Sequence, residues 1–158
     1  MRFRRLTIEE LTELETEFKQ FLIINQVYNE EWIEMNQKDL KKANALVDLF
    51  SDQVLEKVYS KMNFLEIRSP KTYSIFSFNE QTINSLIIQS KDESVLLSTE
   101  QEIENALNTN LLKLEVFKAS KPYTKVKSEE VFELINQGAI ISKPEVWHAF
   151  SLFFDQKK

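Results

Sequence analysis

Residues that could carry acid, base, nucleophilic or metal chemistry are few in this 158-residue chain. It contains one histidine, His148, one glycine, Gly138, and no cysteine. Sites built from several histidines or from thiolates are therefore excluded. Dinucleotide fingerprints and P-loops are excluded as well, because these loops need several glycines. Helical spacing places His148 near Ser151 on a polar helix edge, which favours a surface histidine over a nucleophile–base pair.

Three carboxylates follow one another along a predicted helix. Asp48, Asp52 and Glu56 are spaced by four residues, so they share one helical face, where like charges repel. A Mg²⁺ or Ca²⁺ ion would relieve that repulsion, since both cations prefer carboxylate oxygens. Lysines flank the ladder, however, and a solvated helix face explains the same pattern. These residues are the candidates for a divalent-metal or carboxylate-based enzymatic site, and no cofactor is expected.

Two groups of basic residues are candidates for a nucleic-acid surface. One group precedes the first helix and the other surrounds a loop near residue 120. The candidates are Arg2, Arg4, Arg5, Lys118, Lys121, Lys125 and Lys127. On a common face, these cations would bind phosphates. The net charge of −5 favours the alternative, in which they balance acidic helices and keep sheet edges soluble, so nucleic acid is a disfavoured partner.

The C-terminal helix is apolar nearly all round. A surface helix needs only one apolar stripe, so this helix either lies deep in the core or offers a second face to a partner. Chain termini seldom lie at the centre of a core. The sequence therefore predicts a homo-oligomer that forms through this helix, and the interaction candidates are Trp147, Phe150, Phe153 and Phe154.

The first part of the chain is predicted to be helical. Thr7 and Glu10 form the pattern of a capping box, and apolar residues at helical spacing follow as far as Leu22. A short helix is predicted over 30–37. Asp39 is expected to cap a long helix that ends near Met62. Short connections between these helices favour an antiparallel hairpin or a three-helix unit.

The pattern changes to strands after residue 63. Strands are predicted over 64–68, 73–78, 83–89, 95–97 and 111–118, and a short strand or connector over 139–141. Helices are predicted over 100–107 after Ser98 or Thr99, through 137 with Ser128 as the N-cap, and after Ser142, which with Glu145 forms a second capping-box pattern. Gly138 is expected at the C′ position of the second of these helices.

This order predicts an α+β fold. It consists of an N-terminal helical hairpin, a mostly antiparallel sheet with interspersed helices, and the apolar C-terminal helix. Length and composition predict one domain over 1–158, with a helical part at 1–62 and a mixed part at 63–158. The absence of cysteine, of a secretory leader and of any apolar run long enough for a membrane span leads us to expect a cytoplasmic location.

Three segments carry a family resemblance: MRFRRLT at 1–7, LFSDQVLEKVYSKMNFLEIRSPK at 49–71, and KPYT at 121–124 followed by EEVFELINQGAIIS at 129–142. Together they resemble an uncharacterised family of short bacterial proteins, found chiefly in Bacteroidetes and classed as a domain of unknown function. The resemblance covers most of the chain. It implies a bacterial cytoplasmic protein without an established role and assigns no site residues.

Three functional hypotheses follow. The favoured one is a non-enzymatic protein-interaction or assembly domain, because no catalytic constellation stands out and apolar surface is in excess. The alternatives are a nucleic-acid-binding accessory protein and a carboxylate-based metal site or enzyme. Separately, Arg68 is expected to pair with Glu56 or Asp52 and so to join helix and sheet, a structural role.

Overall fold

The computed structural model describes the backbone of residues 1–157 and the side chains of residues 1–155. The chain divides into two compact units, Met1–Val58 and the part from Tyr59 onward, and each unit is described by itself. The sequence-based expectation of one domain over 1–158 stays a prediction.

The first unit is helical. Its helices are α1 (Ile8–Glu13), α2 (Glu15–Ile24), α3 (Asn29–Lys38) and most of α4, which runs over Leu40–Ser60. The continuous first helix expected from the sequence is interrupted at Leu14, where φ is −101° and ψ is 22°, and neither glycine nor proline marks this interruption. The rings of Phe18, Phe21, Trp32 and Phe50 pack together with centroid separations of 5.0–6.1 Å. An aromatic cluster therefore joins α2, α3 and α4.

Two helix starts in this unit confirm the predicted caps. The Thr7 hydroxyl accepts the Glu10 N–H at 3.1 Å, and the Glu10 carboxylate accepts the Thr7 N–H at 2.9 Å, which completes the capping box. Asp39 Oδ1 accepts the Lys42 N–H at 3.2 Å at the start of α4. These hydrogen bonds satisfy backbone N–H groups that the first helical turn leaves without a partner inside the helix.

Glu10 also pairs with Arg4, whose two terminal nitrogens donate to its carboxylate oxygens at 2.8 and 3.0 Å. The Arg4 guanidinium, and after it the Thr7 N–H, hold the pKa of Glu10 at about 2, well below 4.5. The stability from this depressed pKa is present above pH 4.5 and is lost as the pH falls towards 2. We expect an NMR titration of the Glu10 carboxyl to show a midpoint near 2, and Arg4→Ala to raise it. A midpoint near 4.5 in the unaltered protein would contradict the pairing.

The second unit contains a five-stranded antiparallel sheet in the order β4-β3-β2-β1-β5. Its strands are β1 (Phe64–Arg68), β2 (Thr72–Phe78), β3 (Thr82–Ser90), β4 (Leu114–Pro122) and β5 (Ile140–Ile141). Its helices are α5 (Glu100–Thr109), α6 (Lys127–Asn136) and α7 (Pro144–Lys157), and a 3₁₀ turn spans Leu111–Lys113. The predicted α+β fold with an antiparallel sheet is confirmed.

Helices cover both faces of this sheet. On the first face, Tyr73, Ile75, Leu86 and Ile88 pack with residues of α5 and α7 in one buried cluster. On the second face, Phe76 and Ile83 share a small cavity with residues of α6. The alternation of side chains along each strand supplies apolar groups to both faces, which is why these strands are rich in large apolar residues.

Local signals predicted several boundaries of the second unit correctly. Thr99 and Glu102 form the capping box of α5. Gly138, with φ at 104°, lies at the C′ position of α6, where its N–H donates to Ile135 O and the Ala139 N–H donates to Leu134 O. This pair of bonds is the Schellman motif, and its positive φ explains the glycine.

Two helix caps and one strand were predicted wrongly. Ser128 is not the N-cap of α6, because the N-cap is Val126 and the helix begins at Lys127. The Ser142 N–H donates to Phe64 O at 3.0 Å and thus prolongs the β5–β1 pairing, while the buried Ser142 Oγ has no partner among the described residues.

The segment 95–97, predicted as a strand, is a loop. Val95 and Leu97 are buried and Leu96 between them is exposed, because the side chains of Val95 and Leu97 enter the core from that loop. Strand β4 begins at Leu114 and not at 111, because the 3₁₀ turn occupies Leu111–Lys113. The alternation of apolar residues therefore predicted correctly which side chains are buried, but it did not predict the backbone conformation.

Candidate functional site

The N-terminal arginines and the carboxylate ladder of α4 bind one another. Asp48 receives two hydrogen bonds from the Arg5 guanidinium, at 2.6 and 3.1 Å, and the Arg2 guanidinium lies 3.1 Å from Glu56. Asp52 accepts the backbone N–H groups of Arg2 and Phe3 at 2.8 and 3.0 Å. The segment before α1 is therefore held along α4 by all three carboxylates.

This pairing changes the interpretation of both predicted sites in the first unit. The Arg5 guanidinium lowers the pKa of Asp48, so that carboxylate is stabilised in its charged form without a metal ion. Within the described part of the chain, no group of three or more His, Asp or Glu side chains is placed to hold a metal ion. The repulsion that suggested a cation is relieved by arginine and by backbone N–H groups.

The lysines near residue 120 are also engaged individually. Lys118 Nζ lies 3.0 Å from Asp155 Oδ1 and Lys121 Nζ lies 3.7 Å from Glu130 Oε2. Lys125 forms an ion pair with Glu133. Lys127 Nζ donates to Ser60 O at 2.9 Å and to Asn63 Oδ1 at 2.7 Å. A phosphate would have to compete with these partners, so the nucleic-acid alternative gains no support from the geometry.

Most of the apolar surface of α7 is used inside the second unit. Phe150 and Phe154 are 8% and 2% exposed and belong to the core cluster, and Trp147 and Phe153 pack against it. The Phe150 ring lies 5.2 Å from that of Tyr73. Two of the four interaction candidates, Phe150 and Phe154, are therefore buried within the second unit itself. Among the described residues of α7, Leu152 is the large apolar residue that is exposed, with 65% of its surface accessible.

A buried charged cluster lies on the first face of the sheet. Glu66 is almost completely buried, accepts the Tyr73 hydroxyl at 2.7 Å and lies 2.6 Å from the Arg68 guanidinium. Burial, and after it the neighbouring Glu66 carboxylate, raise the pKa of the Tyr73 hydroxyl, so it remains a donor. The described ion pair of Arg68 is thus with Glu66, two residues away on the same strand face, and not one that the sequence predicted.

The free edge of β4 is an exposed feature of the second unit, and the sequence did not predict it. The Lys91 N–H donates to Lys113 O, and this hydrogen bond shows which residues of β3 and β4 form hydrogen-bonded pairs. Odd-numbered residues of β4 therefore pair with β3, and the backbone groups of Val116, Lys118 and Ser120 point away from it. Residues 117–122 are all exposed, including Phe117 at 45%. This strand of nine residues is a template for a further strand.

A groove of about 370 Å³ accompanies this edge on the first face. Its floor includes Leu86, one wall is Trp147, and polar groups come from Asn84, Ser120 and Ser151. Lys118 lines the same groove and crosses to Asp155 of α7. The predicted candidates Trp147 and Lys118 are thus brought together, although neither was predicted to border a sheet edge.

One family model matches residues 1–155, and its description is a family of unknown function, DUF6495. The chain belongs to this family. No curated protein and no solved structure matches it. Membership of DUF6495 confirms the unknown-function family expected from the sequence segments and adds no assignment of activity or ligand.

Two further findings concern the part of the DUF6495 chain that the structure describes. No helix there is long and apolar enough to cross a membrane. His148 is exposed on α7 and Ser151 lies partly buried beside the β4 groove. The sequence signals that could have located the edge were Lys118, Lys121 and Pro122 at the end of the predicted strand and just after it, since both residue types are common on edge strands.

Proposed function

We propose that the protein is an assembly domain that pairs with a second copy of itself through the free edge of β4. The observation that carries the proposal is the length and exposure of this edge, with outward backbone groups at three successive even-numbered positions. Two such edges joined antiparallel form one continuous sheet across a two-fold axis. The bacterial origin and cytoplasmic location expected from the sequence stay predictions within this proposal.

The chemistry of β4 selects one register for such a dimer. Outward backbone groups meet only when even-numbered residues lie opposite even-numbered ones. Centring the pair on Lys118 places each Phe117 opposite the small Ala119 side chain of the second copy. Centring it on Phe117 instead places two aromatic rings opposite each other in a non-hydrogen-bonded pair. This register buries the exposed ring of each copy.

The lysines of β4 do not oppose this arrangement. Lysines protect an edge strand when their charges remain free beside it. Here Lys118 is drawn onto the first face by Asp155 and Lys121 onto the second face by Glu130. Because both charges are directed towards helices of the same copy, an incoming strand meets backbone groups and not free ammonium groups.

A cysteine at position 117 tests the register. Residues opposite each other in a non-hydrogen-bonded pair have Cα atoms about 4.5 Å apart, a separation that a disulfide spans. The chain has no cysteine of its own, so Phe117→Cys creates a single reactive thiol. We expect mild oxidation to convert this variant to a covalent dimer on a non-reducing gel.

Ala119→Cys is the matched control, because its thiol is on the same face but far from its counterpart in this register. Equal cross-linking of both variants would contradict the register. In a second experiment, Ser120→Pro removes one outward N–H and should give a monomer by light scattering, whereas Ser120→Ala should remain a dimer. A wild-type protein that is monomeric up to about 100 μM would overturn the proposal.

A further inference from the structure

The second unit contains an open cavity beside the hairpin that joins β2 to β3. Its volume is about 550 Å³, which lies within the range of small-ligand pockets. Its lining combines two aromatic side chains with polar and charged ones, and it includes Phe64, Phe78, Asn63, Asn79, Glu80 and Lys127. None of the lining residues belongs to β4, so an inference about this cavity does not depend on pairing through that strand.

The lining carries one cation, Lys127, and one anion, Glu80. Lys127 is the first residue of α6, and Glu80 lies in the turn between β2 and β3. Within the described part of the chain, neither side chain forms an ion pair, either with the other or with a third residue. Because the two charges sum to zero, the cavity favours a ligand that carries both signs over a simple anion or cation.

The Lys127 ammonium group donates to neutral acceptors among the described residues. Its partners are Ser60 O at 2.9 Å and Asn63 Oδ1 at 2.7 Å, and an ammonium group has a third N–H to donate. Burial lowers the pKa of Lys127, since the loss of solvent around its charge is not offset by a carboxylate. A ligand carboxylate would supply that counter-charge, and the two existing hydrogen bonds hold the ammonium group in place for it.

The hairpin turn holds the anionic side of the cavity. The Asn79 N–H donates to Thr82 O at 2.9 Å, and the Tyr123 hydroxyl donates to Asn79 O. Glu80 follows Asn79 directly and is exposed, so its carboxylate is accessible to a ligand. The two charges are therefore presented by elements that the fold fixes independently of a ligand.

We propose that this cavity binds an α-amino acid with a large apolar side chain. The carboxylate of the ligand pairs with Lys127, its ammonium group pairs with Glu80, and its side chain lies against Phe64 and Phe78. Phe64 is half-buried and Phe78 is almost completely buried, so the two rings form an apolar floor. The opposite charges and this floor together select the class of ligand.

The test uses three probes and a matched pair of variants of the whole chain. The probes are L-phenylalanine, N-acetyl-L-phenylalanine, which lacks the ammonium group, and L-phenylalaninamide, which lacks the carboxylate. Glu80→Gln removes the anion of the cavity, whereas Glu93→Gln makes the same charge change at a residue outside the lining. Both glutamates are exposed, so both variants should fold. Isothermal titration calorimetry measures the affinities.

We expect the wild type and Glu93→Gln to bind L-phenylalanine, and both derivatives to bind about fivefold more weakly, as for the loss of one exposed ion pair. Glu80→Gln should bind L-phenylalanine about fivefold more weakly and should no longer distinguish it from the N-acetyl derivative. Equal affinity of the three probes for the wild type, or equal affinity of the two variants for L-phenylalanine, would overturn the proposal. The absence of saturable binding up to about 10 mM would overturn it as well.

Discussion

Phe150→Ala is expected to lower the free energy of unfolding by about 3–5 kcal/mol, because it removes a buried aromatic ring and leaves a cavity. Phe150 belongs to the cluster that joins α7 to the sheet and contacts the ring of Tyr73. For a chain of this length, such a loss lowers the melting temperature by about 6–20 °C. Differential scanning calorimetry or thermal circular dichroism measures the change.

Leu152→Ala is the control on the same helix. Leu152 is mostly exposed, so its truncation should change stability by less than about 0.5 kcal/mol. If instead the melting temperature were unchanged by Phe150→Ala, α7 would not be packed on the sheet, and the predicted partner contact through this helix would regain its basis.

Arg68→Ala is expected to destabilise the protein by about 3 kcal/mol. The substitution leaves the Glu66 carboxylate buried without its guanidinium partner, and an uncompensated buried charge is more costly than a lost surface pair. The Tyr73 hydroxyl remains as a donor to Glu66 but supplies no charge. Chemical denaturation at pH 7 measures the loss.

The double variant Glu66→Gln with Arg68→Ala shows whether the buried charge is the cause. A neutral amide needs no counter-ion, so the double variant should be more stable than Arg68→Ala alone. A double variant that is less stable than Arg68→Ala would show that the charge is not the origin of the loss.

The two ionic candidates of the first unit illustrate how pairing alters a sequence-based site. From the sequence, three arginines indicate a cationic patch and three carboxylates a metal ladder. In the structure Arg5 binds Asp48 and Arg2 binds Glu56, across 43 and 54 positions of the chain. Two of the three arginines therefore pair with this carboxylate ladder, while Arg4 pairs with Glu10. The long segment between Arg2 or Arg5 and its partner means that no local sequence pattern reveals the pairing.

Local chemistry was sufficient to predict much of the fold. The caps at Thr7, Asp39 and Thr99 and the αL glycine at Gly138 were correct because each depends on residues within a few positions. The loop at 95–97 was predicted wrongly because its alternating burial arises from α5 and the sheet closing over it, which no short window contains.

The sequence by itself determined most of the element types, the α+β class and the exclusion of thiolate, multi-histidine and glycine-loop chemistry, because these follow from composition and from neighbours along the chain. Only the tertiary structure decided that β4 is an edge strand, that α7 closes the core, and which charges are neutralised. The physical reason is that strand order and ion pairing join residues tens of positions apart, so their energies depend on the folded arrangement.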